Sequence, residues 1–81
     1  MRQTSGIIIN DEIFINSSHV VKIDQTKTSD NKYALNIYLT NIETPISFIF
    51  DTENDCNTTM KNIVKEMYGF NFAYVNFETA E

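Results

Sequence analysis

The sequence has very little glycine and cysteine. Only two of its 81 residues are glycine, Gly6 and Gly69, so it contains neither a phosphate-binding P-loop nor a dinucleotide fingerprint. Its single cysteine, Cys56, cannot form an internal disulfide, and we find no charged-then-apolar leader with a small-residue cleavage site. These absences exclude the common nucleotide enzymes and favour a reducing, cytoplasmic location.

Basic residues and long apolar runs are also scarce. Six Lys and Arg stand against eleven Asp and Glu, a formal net charge of −5, so the average surface repels a phosphate backbone. The longest apolar run is far too short to cross a bilayer. We therefore expect no direct nucleic-acid binding and no membrane binding.

The acids are unevenly distributed along the chain. Between Tyr33 and Met60 there is no base at all. Such a segment can form one acidic face that attracts a basic protein partner. The candidate partner-binding residues in it are Glu43, Asp51, Glu53 and Asp55.

Two arrangements that could carry chemistry have simpler structural explanations. Cys56 near a helix start, with His19 as its base, could be a nucleophile, but Cys56 shares an apolar face with Met60, which is typical of a buried core thiol. With one His and one Cys, a zinc site would need carboxylates from elsewhere. The sequence therefore predicts no catalytic residue.

The run Asp51, Glu53 and Asp55 resembles the opening of a calcium-binding loop. Cys56 occupies the sixth position, where such a loop requires glycine, and Asn62 occupies the twelfth, where it requires glutamate. Acids at the start of a helix explain the same residues without an ion. We therefore predict no metal and no cofactor.

Alternating apolar residues predict a series of short antiparallel strands. Residues 7–9 and 13–15 are rich in isoleucine and flank an Asn-Asp-Glu turn, a pattern that predicts a hairpin. A third strand is expected over residues 19–28, with Val21 and Ile23 on its buried face. Residues 33–40 alternate most clearly, and a further strand follows Pro45.

The period of the apolar residues changes to that of a helix after residue 51. Thr52 with Asp55 three residues later approximates a capping box, so the helix is expected to begin near Asp51 or Thr52 and to end at Gly69. One face carries the apolar residues that should pack on the sheet. These are Cys56, Met60, Ile63, Val64 and Met67.

Residues 70–77 are predicted to form a last strand that is apolar on both faces. Such a strand needs cover on both sides, so either it is central in the sheet or one face meets another molecule. A domain of this size can bury leftover apolar surface by forming a homodimer. The candidate self-association residues are Phe72, Tyr74, Val75 and Phe77.

Together these patterns predict a single α+β domain over residues 1–81. We expect an antiparallel meander of about five to six strands, packed against one amphipathic C-terminal helix and including the final aromatic strand. Residues 1–5 are expected to be a loose terminus and residues 78–81 an acidic tail.

The order of elements resembles the flagellar FlbD-like family of small proteins. The matching stretches are IFIN at residues 13–16, HVVKID at 19–24, NIYLTN at 36–41 and ISFIF at 46–50, followed by a short helix. They span about two thirds of the chain. The resemblance implies a non-enzymatic accessory protein and supplies no catalytic residue.

The sequence leaves three functional hypotheses. The first is a non-enzymatic protein-interaction module, an acidic adaptor, regulator or inhibitor. One version is a phage- or mobile-element-encoded inhibitor that presents acids in place of nucleic-acid phosphates. The second is a self-associating structural subunit, and the third is a small-ligand binder or enzyme that uses an apolar pocket between sheet and helix.

Overall fold

Two antiparallel sheets and one helix make up the fold. The computed structural model describes residues 6–69, 72, 73 and 75. Strands β1 (Gly6–Ile9) and β2 (Ile13–Asn16) pair with each other, and β3 (Val20–Lys27), β4 (Tyr33–Leu39) and β5 (Ile46–Phe50) form a three-stranded sheet in that order. A 3-10 turn, Ser17–His19, connects the two sheets, and helix α1 spans Glu53–Tyr68. The α+β class and the antiparallel pairing are confirmed.

Three details of the predicted fold need correction. The strands do not form one continuous sheet, because no ladder joins β1 and β2 to β3–β5 in the described part of the chain. The described strands number five, and Phe72, Ala73 and Val75 of the expected aromatic strand lie outside any strand. The rest of residues 70–77, and the expected terminal segments 1–5 and 78–81, lie outside the described residues.

Asparagine and aspartate form the tight turns in place of glycine. Asn10 and Asp11 have φ of 54° and 59°, and the Glu12 amide donates to the Ile9 carbonyl at 3.0 Å, as in a type I′ turn. Asn31 and Asn41, both at φ 64°, occur in the β3–β4 and β4–β5 connections. Asparagine tolerates this left-handed region better than most residues, so a chain with two glycines can still build three hairpin connections.

The core lies between one face of the three-stranded sheet and α1. Leu35 and Ile37 of the central strand are 0% exposed, and Phe48 and Ile46 of β5 stand opposite them. Burial of each such side chain stabilises the fold by roughly 1.5–3 kcal/mol. A hydrogen bond also joins the sheet to the helix here, because Gln25 Nε2 of β3 donates to Asn57 Oδ1 of α1 at 3.3 Å.

A β-bulge changes which residue of β3 faces the helix. Val20 pairs with Leu39 and Lys22 pairs with Tyr38, so one extra residue, Val21, is inserted opposite the regular β4 strand. Val21 is 69% exposed, and the prediction that it shares a buried face with Ile23 is wrong. Val20 takes the place nearer the helix, because a bulge shifts the two-residue alternation by one.

Helix α1 begins and ends at residues that the sequence marks. Thr52 is the N-cap, and its Oγ1 accepts from the Asp55 amide at 3.1 Å, so the helix starts slightly later than predicted. The C-cap is Gly69, with φ 66° and ψ −130°, and its amide donates to the Lys65 carbonyl at 2.7 Å. Cys56 is 0% exposed, which confirms its place in the core.

The β1–β2 hairpin is attached to this layer mainly by its inner face and the turn that follows it. Ile15 is 2% exposed, and the Tyr68 hydroxyl near the end of α1 donates to the Ser17 carbonyl at 2.9 Å. On the other face, Phe14 pairs across the hairpin with Ile8, and both are more than 60% exposed. The hairpin therefore contributes one side to the core and leaves an apolar side uncovered.

Candidate protein-interaction surface

Strand register brings three turns to one end of the molecule. Lys27 at the end of β3, Tyr33 at the start of β4 and Phe50 at the end of β5 lie side by side. The β3–β4 turn and the β5–α1 junction therefore meet at this end. Asn10 of the β1–β2 turn lines a depression together with Phe50 and Thr59, so the third turn lies there too.

Each of these turns carries carboxylates. We name this set of six acids the acidic end, and two lysines, Lys27 and Lys32, accompany it. Six negative and two positive charges leave an excess of four negative charges at one end of a small domain. The acidic end consists of Asp11, Glu12, Asp30, Asp51, Glu53 and Asp55.

One ion pair and one hydrogen bond from a hydroxyl stabilise the ionised form of two carboxylates of the acidic end. Lys32 Nζ lies 2.7 Å from Asp51 Oδ1, and this hydrogen bond and charge hold the pKa of Asp51 below its ordinary value of 3.8. The Thr28 hydroxyl donates to Asp30 and likewise lowers the pKa of Asp30. Both carboxylates are therefore ionised at neutral pH.

The structure separates the four acids that the sequence groups together. Asp51, Glu53 and Asp55 surround the start of α1, where negative charge also suits the helix dipole. Glu43 lies in the connection before β5, at the opposite end of that strand. At roughly 3.3 Å per residue the two ends of β5 are on the order of 13 Å apart.

Sequence reasoning missed Asp11, Glu12 and Asp30. All three are turn residues, distant in sequence from Asp51. The register of β3, β4 and β5 brings Asp30 to this end, whereas Asp11 and Glu12 are brought there by the packing of the β1–β2 turn beside Phe50 and Thr59. Counting the connections of the β3–β5 meander could have placed Asp30 at the same end as Asp51. In an antiparallel meander every second connection returns to the same end of the sheet.

The predicted self-association residues are only partly described. Val75 is 67% exposed and Phe72 is 36% exposed. Tyr74 and Phe77 lie outside the described residues.

The sheet face opposite the helix holds a polar network that joins all three strands. Asn36 of β4 is 7% exposed; its Nδ2 donates to Asp24 Oδ1 at 2.9 Å, and its Oδ1 accepts from the Ser47 hydroxyl at 2.6 Å. The Asn36 hydrogen bond is the largest cause of a lowered pKa at Asp24, and the Lys22 ammonium, 3.5 Å away, adds to it. These residues satisfy one another, which is typical of a structural network.

The thiol offers no activated nucleophile. Burial, with a smaller effect of the Glu53 carboxylate, raises the pKa of Cys56, whereas a reactive cysteine needs a lowered pKa and access to solvent.

Across residues 6–69, 72, 73 and 75, no three His, Cys, Asp or Glu side chains are grouped so that they could hold a metal ion. Within the same described residues, no helix has both the length and the apolar character to span a membrane.

Comparison with known proteins gives no match: no family model, no curated protein and no solved structure is similar to the chain. The resemblance to the FlbD-like family stays a prediction.

Proposed function

We propose that the protein is a non-enzymatic interaction module whose acidic end binds a basic surface on a protein partner. The observation that carries this proposal is the convergence of three turns, where, among the described residues, six carboxylates lie beside two lysines. Of these carboxylates, only Asp51 forms an ion pair with a described residue. The charges of the other five carboxylates are not compensated by an ion pair among the described residues.

Charge at such a surface mainly affects the rate of association and the choice of partner. Complementary potentials raise the rate of association and disfavour acidic competitors, and salt weakens both effects within a Debye length of ~10 Å at 0.1 M. An adaptor, a regulator or an inhibitor could use this surface. An inhibitor would present its carboxylates to a groove that otherwise accepts phosphates.

The chain offers a matched pair of substitutions to test the acidic end. Glu53→Lys and Glu43→Lys change the charge equally, and both residues are exposed, but only Glu53 belongs to the acidic end. Affinity capture from a lysate of the source cells, followed by quantitative mass spectrometry, would compare both variants and Glu12→Lys with the parent. We expect a basic protein to be captured by the parent and by Glu43→Lys, and to be lost with Glu12→Lys plus Glu53→Lys and in 0.5 M salt.

Two outcomes would contradict the proposal. Capture that survives the double substitution and high salt would show that the acidic end is not the binding surface. Equal losses for Glu43→Lys and Glu53→Lys would favour the broader face that includes Glu43. Melting curves of each variant would show that any lost capture does not come from unfolding.

Self-association is the second candidate function, because Val75 and Phe72 leave apolar surface exposed. Sedimentation equilibrium of the parent and of Val75→Asp at 10–300 micromolar, a range chosen as on the order of common dimer affinities, would test it. A dimer that Val75→Asp converts to a monomer would support a structural subunit. A parent that stays monomeric throughout would exclude it.

A further inference from the structure

A groove runs along the unpaired edge of β1. It consists of two adjoining depressions of about 330 and 350 Å³ that share Ile9, Asn10, Thr59 and Ile63. The first extends to Glu66 near the end of α1. The second extends to the β5 residues 48–50, and we call the whole the edge groove.

Two strand edges border this groove with no ladder to another strand of the described residues. Among the described residues, β1 pairs only with β2 and β5 pairs only with β4, so each strand has one edge without a ladder. An unpaired edge presents backbone N–H and C=O groups that another strand can pair with. The edge groove therefore has the main-chain chemistry of a strand-addition site.

The walls and ends of the groove define what would fit there. Ile63 and Phe48 give it an apolar floor, which suits alternate side chains of an extended peptide. Glu66 stands at one end. At the other end, Asn10 and Phe50 adjoin Asp11 and Asp51 of the acidic end, so carboxylates flank both ends of the groove.

We propose that the edge groove binds an extended segment of the basic partner by strand addition, with apolar residues inserted over Ile63 and Phe48 and a Lys or Arg at each end. This inference rests on the proposed function and adds the form of the recognised segment. The acids at both ends supply the charge complementarity, and β1, at four residues, sets a span of roughly 10 Å.

Selection of random heptapeptides displayed on phage against the parent protein would identify the preferred segment. We expect the enriched peptides to alternate apolar and polar residues between basic ends. Synthetic copies methylated at alternate backbone nitrogens should bind at least tenfold more weakly, because methylation removes the donors that pair with a strand edge. Enrichment of no peptide, or of peptides without this pattern, would overturn the proposal.

Neighbouring threonines provide a matched control. Thr59 lines the edge groove, whereas Thr58 is exposed and lies outside it. Thr59→Phe should fill the groove and lower peptide affinity at least tenfold, while Thr58→Phe leaves it within twofold. Glu66→Lys, a substitution on the exposed surface, should weaken binding several-fold even if Thr59→Phe folds poorly. Equal affinity for all three variants would overturn the proposal.

The same variants separate this inference from the proposed function. If the double substitution Glu12→Lys plus Glu53→Lys abolishes capture of the partner but Thr59→Phe and Glu66→Lys do not, the acidic end binds the partner and the edge groove does not. If none of the three affects capture, both proposals fail. If Thr59→Phe instead converts a dimer to a monomer in sedimentation, the occupant is a second copy of this chain, and the proposal of a basic partner segment is wrong.

Discussion

Replacing Val20 or Val21 by alanine tests the β-bulge directly. The two valines are adjacent in β3 and both line a depression beside Met60 and Val64 of α1, yet Val20 is half-buried while Val21 is 69% exposed. Regular alternation along β3 would instead bury Val21 on the same face as Ile23 and expose Val20. The more damaging substitution therefore reports which valine faces the helix.

The expected difference follows from the buried surface. Val→Ala removes two carbons, each stabilising by about 0.8 kcal/mol when fully buried, so a half-buried Val20 should lose about 1 kcal/mol. Val21→Ala should cost about 0.5 kcal/mol or less, as is usual for exposed sites. The loss of strand propensity is common to both valines, so the difference between them isolates burial.

Urea and thermal unfolding followed by circular dichroism would measure both variants. For a domain of this size, 1 kcal/mol corresponds to a shift in Tm of about 4–8 °C. We expect Val20→Ala to melt several degrees below Val21→Ala with the same m-value. If Val21→Ala is the less stable variant, β3 continues without the bulge and the register described for Val20 and Lys22 is wrong.

Substitutions at three further positions test the caps and the polar network. Thr52→Ala should lower the free energy of unfolding by about 1 kcal/mol while Thr52→Ser retains most of it, as measured by urea unfolding, since either hydroxyl can accept from the Asp55 amide. Gly69→Ala should cost about 1–3 kcal/mol through backbone strain at φ 66° alone, because an added Cβ meets no atom within 4 Å; no loss would contradict this backbone conformation. Because Asp24 has a lowered pKa in the fold, its stabilising contribution is present above its ordinary pKa of 3.8 and is lost as the pH falls through the lower folded value. Unfolding measured from pH 6 to pH 2 should therefore show a weaker acid dependence for Asp24→Asn, and an unchanged slope would contradict this assignment.

Much of the fold could be predicted because local signals and the final structure agree. Alternation from Tyr33 onward fixes the central strand, and Thr52 and Gly69 delimit the helix through their own side-chain and backbone properties. The bulge at Val21 could not be predicted, because one inserted residue leaves no mark in an apolar run that offers valine at either position. The division into two sheets depends on tertiary packing, which the pattern of single strands does not specify.

The candidate surface was predictable only in part, for a related reason. Charges close in sequence, such as Asp51, Glu53 and Asp55, stay close at the start of a helix. Asp30 joins them only through the register of β3 with β4 and of β4 with β5. Glu43 is only eight residues from Asp51 in the sequence, but strand β5 lies between them. Glu43 is therefore at the opposite end of that strand.

The attachment of the β1–β2 hairpin by side chains has a kinetic consequence. With no backbone ladder to the three-stranded sheet in the described residues, the hairpin can open without breaking the hydrogen bonds of β3–β5, and such units exchange their amide hydrogens independently. The amides of Ile7 and Ile9 should then exchange faster than those of Leu35 and Ile37. A segment bound in the edge groove would pair with β1 and slow this exchange, so a strand that is less protected than β4 in the free protein would become protected on binding.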